Sequence, residues 1–225
     1  MCIAGGAPPA GGIIEVMFRD RGEAGRRLAT AMSGRTRPDR SVVLAIPRGG
    51  VVVAEPVAEA LDAPLDVVVP HKLGAPGNPE LAIGAIAPGV RVLDERLIRL
   101  IGVPDEYLDD EVRRQEAEIE RRTRLYRDGR DAPVLAERDV VVVDDGVATG
   151  ATAVAALRWA GGQAAGRVLF AAPVGPPATV RTLAEECDDV VVLETPASFF
   201  AVGEWYEDFG QVTDEEVLAA LRRDR

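Results

Sequence analysis

VVVVDDGVATGAT, residues 140–152, sets four β-branched apolar residues ahead of two acids, a turn of small residues and the start of a helix. Val140 to Val143 show no polar alternation, so the run reads as a strand buried on both faces, as in a parallel sheet. Such a strand delivers the next residues to the carboxyl edge of the sheet, where ligands of open α/β sheets bind. Asp144 and Asp145 arrive there together. Gly146 and Gly150 remove two Cβ atoms from the turn, while Val147 and Ala148 keep it small. Thr149, Gly150, Ala151 and Thr152 then open a helix whose first N–H groups lack partners within it and can hold a phosphate. The acids would repel that phosphate. They suit a sugar diol instead, where a carboxylate accepts two O–H bonds. A diol on acids beside a phosphate on backbone amides outlines a ribose 5-phosphate.

Outward from this segment, apolar runs alternate with helical patterns. Residues 41–46 (SVVLAI) read as a strand that breaks at Pro47, Arg48, Gly49 and Gly50, with a helix over 51–61. A strand at 65–69 ends before His71 and Lys72, and a Gly/Pro-punctuated loop comes next. Strands at 167–172 and 190–193 flank a helix at 177–186. The alternation predicts an α/β fold, a doubly wound, mostly parallel sheet flanked by helices. An amphipathic helix at 18–33 precedes it, with Ala24, Leu28, Ala31 and Met32 on one side. The charged stretch at 105–127 predicts an inserted long helix whose thin stripe is Leu108, Val112, Ile119 and Tyr126. That stripe suits a covering helix, a lid, or contact with a second copy in a homodimer. Residues 1–16, rich in Gly, Ala and Pro, read as a disordered tail. The core domain is expected over 17–194, and a C-terminal hood and tail over 195–225.

The net charge of −11 argues against a nucleic-acid partner, which needs a basic face. No apolar run approaches the roughly 20 residues that span a bilayer, so no membrane partner is expected. The start has no basic segment leading into a long apolar stretch, and Cys2 and Cys187 form no metal or redox spacing. A reduced cytoplasm is the expected compartment. Any phosphate site in so acidic a chain depends on helix N-termini, backbone N–H groups, a few placed cations and a metal. Nearly all basic residues are arginine; Lys72 is the only lysine and its neighbour His71 the only histidine. A lone lysine in an arginine-biased chain suggests a site that needs an ammonium.

The segment at 140–152 closely resembles the binding signature of type I phosphoribosyltransferases for 5-phosphoribosyl 1-pyrophosphate (PRPP). The resemblance implies the type I phosphoribosyltransferase fold. It implies that Asp144 and Asp145 meet the ribose hydroxyls, and that Gly146 to Thr152 contribute to the ribose and 5-phosphate site. Pro47 to Gly50 resemble the family's pyrophosphate loop, so Arg48, Gly49 and Gly50 would hold the leaving group. His71-Lys72-Leu73-Gly74 resembles the stretch before the family's flexible loop. Lys72 would then meet pyrophosphate, while His71 either contacts phosphate or caps the strand. Residues 74–80 (GAPGNPE) have the composition of a mobile lid. The implied reaction joins a small nitrogenous, nucleobase-like acceptor to C1 of PRPP and releases pyrophosphate, with Mg²⁺ as cofactor. Mg²⁺ is expected through PRPP itself, with Asp144 or Asp145 reaching it through water. Arg48, Lys72, Asp144 and Asp145 are the expected catalytic set.

The acceptor is less legible. Family members that use 6-oxopurines commonly carry an acid at the position of Ala148, so such a base is disfavoured. Half of the aromatic residues fall within 196–210, where Phe199, Phe200, Trp205 and Tyr206 could stack on a base and Phe209 could anchor a small core. Three rivals remain. A PRPP-sensing regulator would bind PRPP without turnover. An Asp-based phosphatase would release phosphate from simple monoesters, although its acids are usually spaced rather than adjacent. A leaky site would hydrolyse PRPP.

Overall fold

A computed structural model describes residues 17–37 and 39–223. The expected tail at 1–16 lies outside the described residues. In chain order, α1 (Arg21–Met32) is followed by β1 (Ser41–Ala45), α2 (Gly49–Leu61) and β2 (Leu65–Val67). Next come β3 (His71–Ala75), β4 (Asn78–Ala87), β5 (Val90–Leu93), α3 (Glu95–Ile101) and α4 (Asp105–Arg127). The second half runs β6 (Asp139–Val143), α5 (Ala151–Gly162), β7 (Arg167–Val174), α6 (Pro177–Ala184), β8 (Asp189–Glu194) and α7 (Asp214–Arg223).

Five strands form a parallel sheet in the order β2-β1-β6-β7-β8. Every residue of β1 and β6 is buried, because helices cover both faces. Alternate side chains serve different cores. Val43, Val141 and Leu169 pack with α1, α2, α4 and α7. Val42, Val140 and Phe170 pack with α5 and with Leu183 of α6. From β1 the chain moves outward to β2 on one side and later returns to β6 on the other. The strand order therefore reverses between β1 and β6, which places a crevice at their carboxyl ends.

The sequence reading missed a second sheet. Residues 71–80 are not an open loop: β3 and β4 form an antiparallel hairpin, turning at Pro76-Gly77, and β5 extends it. Gly77 has φ +71°, the left-handed backbone such a turn requires. Leu73 and Ile83 of this sheet join the core that includes Val112 of α4. Ala85 and Ala87 pack on Ala155 of α5. The small sheet thus lies between the two helices.

Helix α4 starts and stops as predicted, with acids in its first turn and arginines in its last. Its stripe is spent within the chain: Val112, Ile119 and Tyr126 are buried in the main core, with Leu108 packed at its margin. The C-terminal segment also feeds that core, through Val212, Val217 and Leu221. No helix among the described residues is long and apolar enough to cross a membrane.

Candidate functional site

The crevice between β1 and β6 gathers two turns. The β1–α2 turn brings Arg48, Gly49 and Gly50, and the peptide joining Pro47 to Arg48 is cis. Gly49 and Gly50 begin α2, so their N–H groups lie at a helix N-terminus. Both glycines are demanded by the neighbouring turn. A Cβ on Gly50 would lie 2.9 Å from the Val143 carbonyl oxygen, and one on Gly49 only 1.8 Å from Asp145 Oδ2. The two turns therefore pack backbone to side chain, with no room between them.

The β6–α5 turn carries the acids. Asp144 Oδ1 accepts the Asp145 N–H at 2.9 Å. Burial, and then the neighbouring Asp145, push the Asp144 carboxyl well above the usual carboxylate range. Burial raises Asp145 as well, but Arg21 pulls against it: Arg21 Nε donates to Asp145 Oδ2 at 2.7 Å. Beyond the acids, Gly150 (φ +82°) turns the chain into α5 and offers no side-chain cap. The first N–H groups of α5 thus have no side-chain cap, and Ala148 and Thr149 just before the helix are exposed. The turn is braced from behind. Thr179 Oγ1 donates to the Ala148 carbonyl at 2.6 Å, and Val147 N–H donates to the Val174 carbonyl at 2.9 Å.

His71 and Lys72 part company. In β3, His71 pairs with Ile86 and Lys72 with Ala85, so successive side chains leave opposite faces of the small sheet. Lys72 shares the face of Ala85, which packs on α5, the helix that the β6–α5 turn opens. It is exposed and forms no ion pair among the described residues. His71 faces α4, where its Nδ1 lies 2.8 Å from Gln115 Oε1. Burial lowers the His71 pKa, so the ring is neutral near pH 7. Arg48, 40% exposed, sits 3.8 Å from Asp214 at the start of α7.

The aromatic segment divides in the same way. Phe199 and Trp205 stack with centroids 6.5 Å apart and planes within 8°. Phe200 is 79% exposed. Tyr206 turns inward rather than offering its ring to solvent. It is buried against Phe18 and Phe209, and its hydroxyl donates to the Asp145 carbonyl at 2.5 Å. Phe209 lies under Arg21, whose guanidinium carbon is 3.8 Å from the ring centroid.

Sequence reasoning anticipated two turns at the carboxyl ends of β1 and β6, with the acids on the second, but set Lys72 at the end of the second strand rather than within β3, and it missed Arg21, Thr179 and Asp214. Each meets the site across a long separation in the chain, and none lies in a local motif that would have flagged it.

Residues 20–208 match the phosphoribosyl transferase domain family. Two Mycobacterium tuberculosis proteins that carry the provisional name phosphoribosyl transferase are 48% identical over 211 residues. The match covers 92% of this chain and 47% of theirs, so the chain spans about half the length of these curated relatives. The crystal structure of TT1426 from Thermus thermophilus superposes with a TM-score of 0.77 at 45% identity, covering 92% of this chain and 98% of that one.

Proposed function

The chain belongs to the phosphoribosyl transferase domain family, and from that premise we propose that it transfers the 5-phosphoribosyl group of PRPP to a nitrogenous, nucleobase-like acceptor and releases pyrophosphate. One observation carries the reading. Two adjacent acids and the uncapped N-terminus of α5 lie on a single turn at the topological switch point, packed against the turn that holds Arg48. In this reading the α5 N–H groups, with Thr149 and Thr152, hold the 5-phosphate. Asp144 and Asp145 accept from the ribose hydroxyls. Arg48, the N–H groups of Gly49 and Gly50, and Lys72 take the pyrophosphate. The reaction is a displacement at C1 through an oxocarbenium-like transition state. The chain's part is positional and electrostatic, with no covalent nucleophile.

The donor set at the end of β6 suits Mg²⁺, which takes one or two carboxylates and leaves its other positions to water and phosphate oxygens. Among the described residues no group of three or more His, Cys, Asp or Glu could cage a metal alone. Mg²⁺ would supply charge neutralisation on the pyrophosphate, with Asp144 or Asp145 reaching it through water.

Ala148 is exposed on the phosphate turn and brings no carboxylate toward the acceptor, which favours acceptors other than 6-oxopurines. In this reading the stacked Phe199–Trp205 pair and exposed Phe200 are the rings that would meet a planar base. The second reading, a PRPP-binding regulator without turnover, draws on the contact between Arg48 and Asp214, which occupies a cation that catalysis would use. Pyrophosphate release from PRPP and Mg²⁺ against a panel of bases separates the two. Base-dependent release that falls about 100-fold or more in Asp144→Asn/Asp145→Asn is expected for the transferase. Saturable PRPP binding with no release for any base would favour the regulator, and full activity in the double variant would remove the ribose assignment.

A further inference from the structure

Arg21 is the first residue of α1, far in sequence from the turn that carries the acids, yet its side chain bonds one of them. Its Nε donates to Asp145 Oδ2 at 2.7 Å, with only 11% of the arginine side chain and 16% of the aspartate exposed. Two further contacts hold it: its Nη1 donates to the Gly210 carbonyl at 2.8 Å, and the Phe209 ring lies 3.8 Å from its guanidinium carbon. The Gly49 backbone runs so close that a Cβ there would fall 2.7 Å from Arg21 Nε. A surface arginine has no reason to be fixed by a backbone carbonyl, an aromatic face and a carboxylate at once. Such clamping holds the planar guanidinium in one orientation.

We propose that Arg21 is a positioning residue: by occupying Oδ2 it fixes the Asp145 carboxylate against the Gly49 turn in one orientation toward a ribose hydroxyl, and it is itself fixed by Phe209 and Gly210. The assignment rests on the ribose reading of the acid pair. A carboxylate has two oxygens, and an arginine bond to one of them orients the other. Without Arg21 the side chain of Asp145 would be free to rotate away from the sugar, and its charge would sit beside Asp144 with no cation to offset it. The aromatic segment acquires a second role here. Tyr206 grips the Asp145 backbone while Phe209 grips Arg21, so both halves of the acid are held by the same piece of chain.

The test is calorimetric titration of the full chain, in Mg²⁺, with PRPP, ribose 5-phosphate and inorganic pyrophosphate as separate ligands. Arg21→Ala should weaken PRPP and ribose 5-phosphate by about tenfold or more while leaving pyrophosphate within about twofold. Arg21→Lys should recover part of that loss, and Phe209→Leu should show a smaller loss with the same ligand pattern. In an Asp145→Asn background, removing Arg21 should cost nothing further, because the arginine acts through that carboxylate. Equal losses for all three ligands, or the same loss with and without Asp145, would overturn the assignment. Wild-type protein that binds pyrophosphate but neither ribose ligand would overturn the ribose reading, and this inference with it. Melting curves on each variant separate lost binding from lost folding. Should Arg21→Ala not fold, Arg21→Lys and Phe209→Leu carry the same comparison.

Discussion

Asp144 is a residue the folded chain holds at a cost. Its carboxyl is displaced upward by burial and by Asp145, with the Asp145 N–H as its nearest compensation. An acid whose folded pKa lies above its unfolded value leaves the native chain with more bound protons between the two. Stability therefore falls as pH rises from the ordinary carboxylate range, about 4, through the raised value. Asp144→Asn keeps the Oδ1 acceptor and removes the charge. It should raise the ligand-free protein's stability by about 1 kcal/mol at neutral pH and flatten the decline with pH, while weakening PRPP binding. Thermal melts of both proteins between acid and neutral pH check this, and a neutral-pH midpoint below wild type would contradict it. The acids, Gly146 and Gly150 were legible because their signal is local: an apolar strand, then charge, then glycine where the backbone must turn. Arg21 was not, since its partner lies 124 residues away and nothing in RDRGEA distinguishes it from the arginines around it.

At the scale of elements, the difference between reading and structure falls on the β3–β4 hairpin and on α4. Pro and Gly at 76 and 77 punctuate a mobile loop and a tight hairpin alike, so composition could not choose; pairing with β5 and burial between α4 and α5 decided it. The stripe on α4 was legible, but Glu111 was not, because an acid followed by Arg114 and Gln115 looks like a solvated i, i+3 and i, i+4 pairing. Glu111 is in fact buried, bonded to Arg114 and to Gln115 Nε2, and it also takes the Gly74 N–H. Tyr107 Oη donates to the Gly74 carbonyl at 3.0 Å, and Gln115 meets His71. Helix α4 thus holds the strand that carries Lys72 on its other face. Gln115→Ala should speed amide exchange across residues 71–75 by about tenfold and weaken pyrophosphate binding a few-fold, through a residue on the face opposite Lys72. Lys72→Ala should weaken pyrophosphate more and leave exchange unchanged. Unaltered exchange in Gln115→Ala would show that α4 does not hold the strand.

For the molecule as a whole, a net charge of −11 opposes any polyanionic ligand, so affinity must come from local devices: helix N-termini, backbone N–H groups, a metal and a few placed cations. Two of those cations are tied down by the chain's own C-terminal segment: Arg21 at residues 209–210 and Arg48 at Asp214. Asp214 does more than pair with Arg48. Its Oδ1 accepts the Tyr126 hydroxyl at 2.7 Å, and that tyrosine, pushed up to about 12 by burial and by Asp214, stays protonated as the donor. One acid therefore joins α7, α4 and the β1–α2 turn. Under the proposed assignment, pyrophosphate approaching Arg48 would compete with Asp214, although at 3.8 Å with both partners well exposed the ion pair is weak. Asp214→Asn keeps an acceptor for Tyr126 and removes the competing charge. Pyrophosphate and PRPP should then bind about two- to fivefold more tightly, with the difference shrinking as salt screens the site. Stability should fall by about 0.5 kcal/mol, because an acid leaves the first turn of α7. Ribose 5-phosphate, which carries no group for Arg48, should bind as before. Titration of the three ligands at low and high salt decides the matter: equal gains for all three would point to a general charge effect, and no gain for any would show that Asp214 does not restrain Arg48.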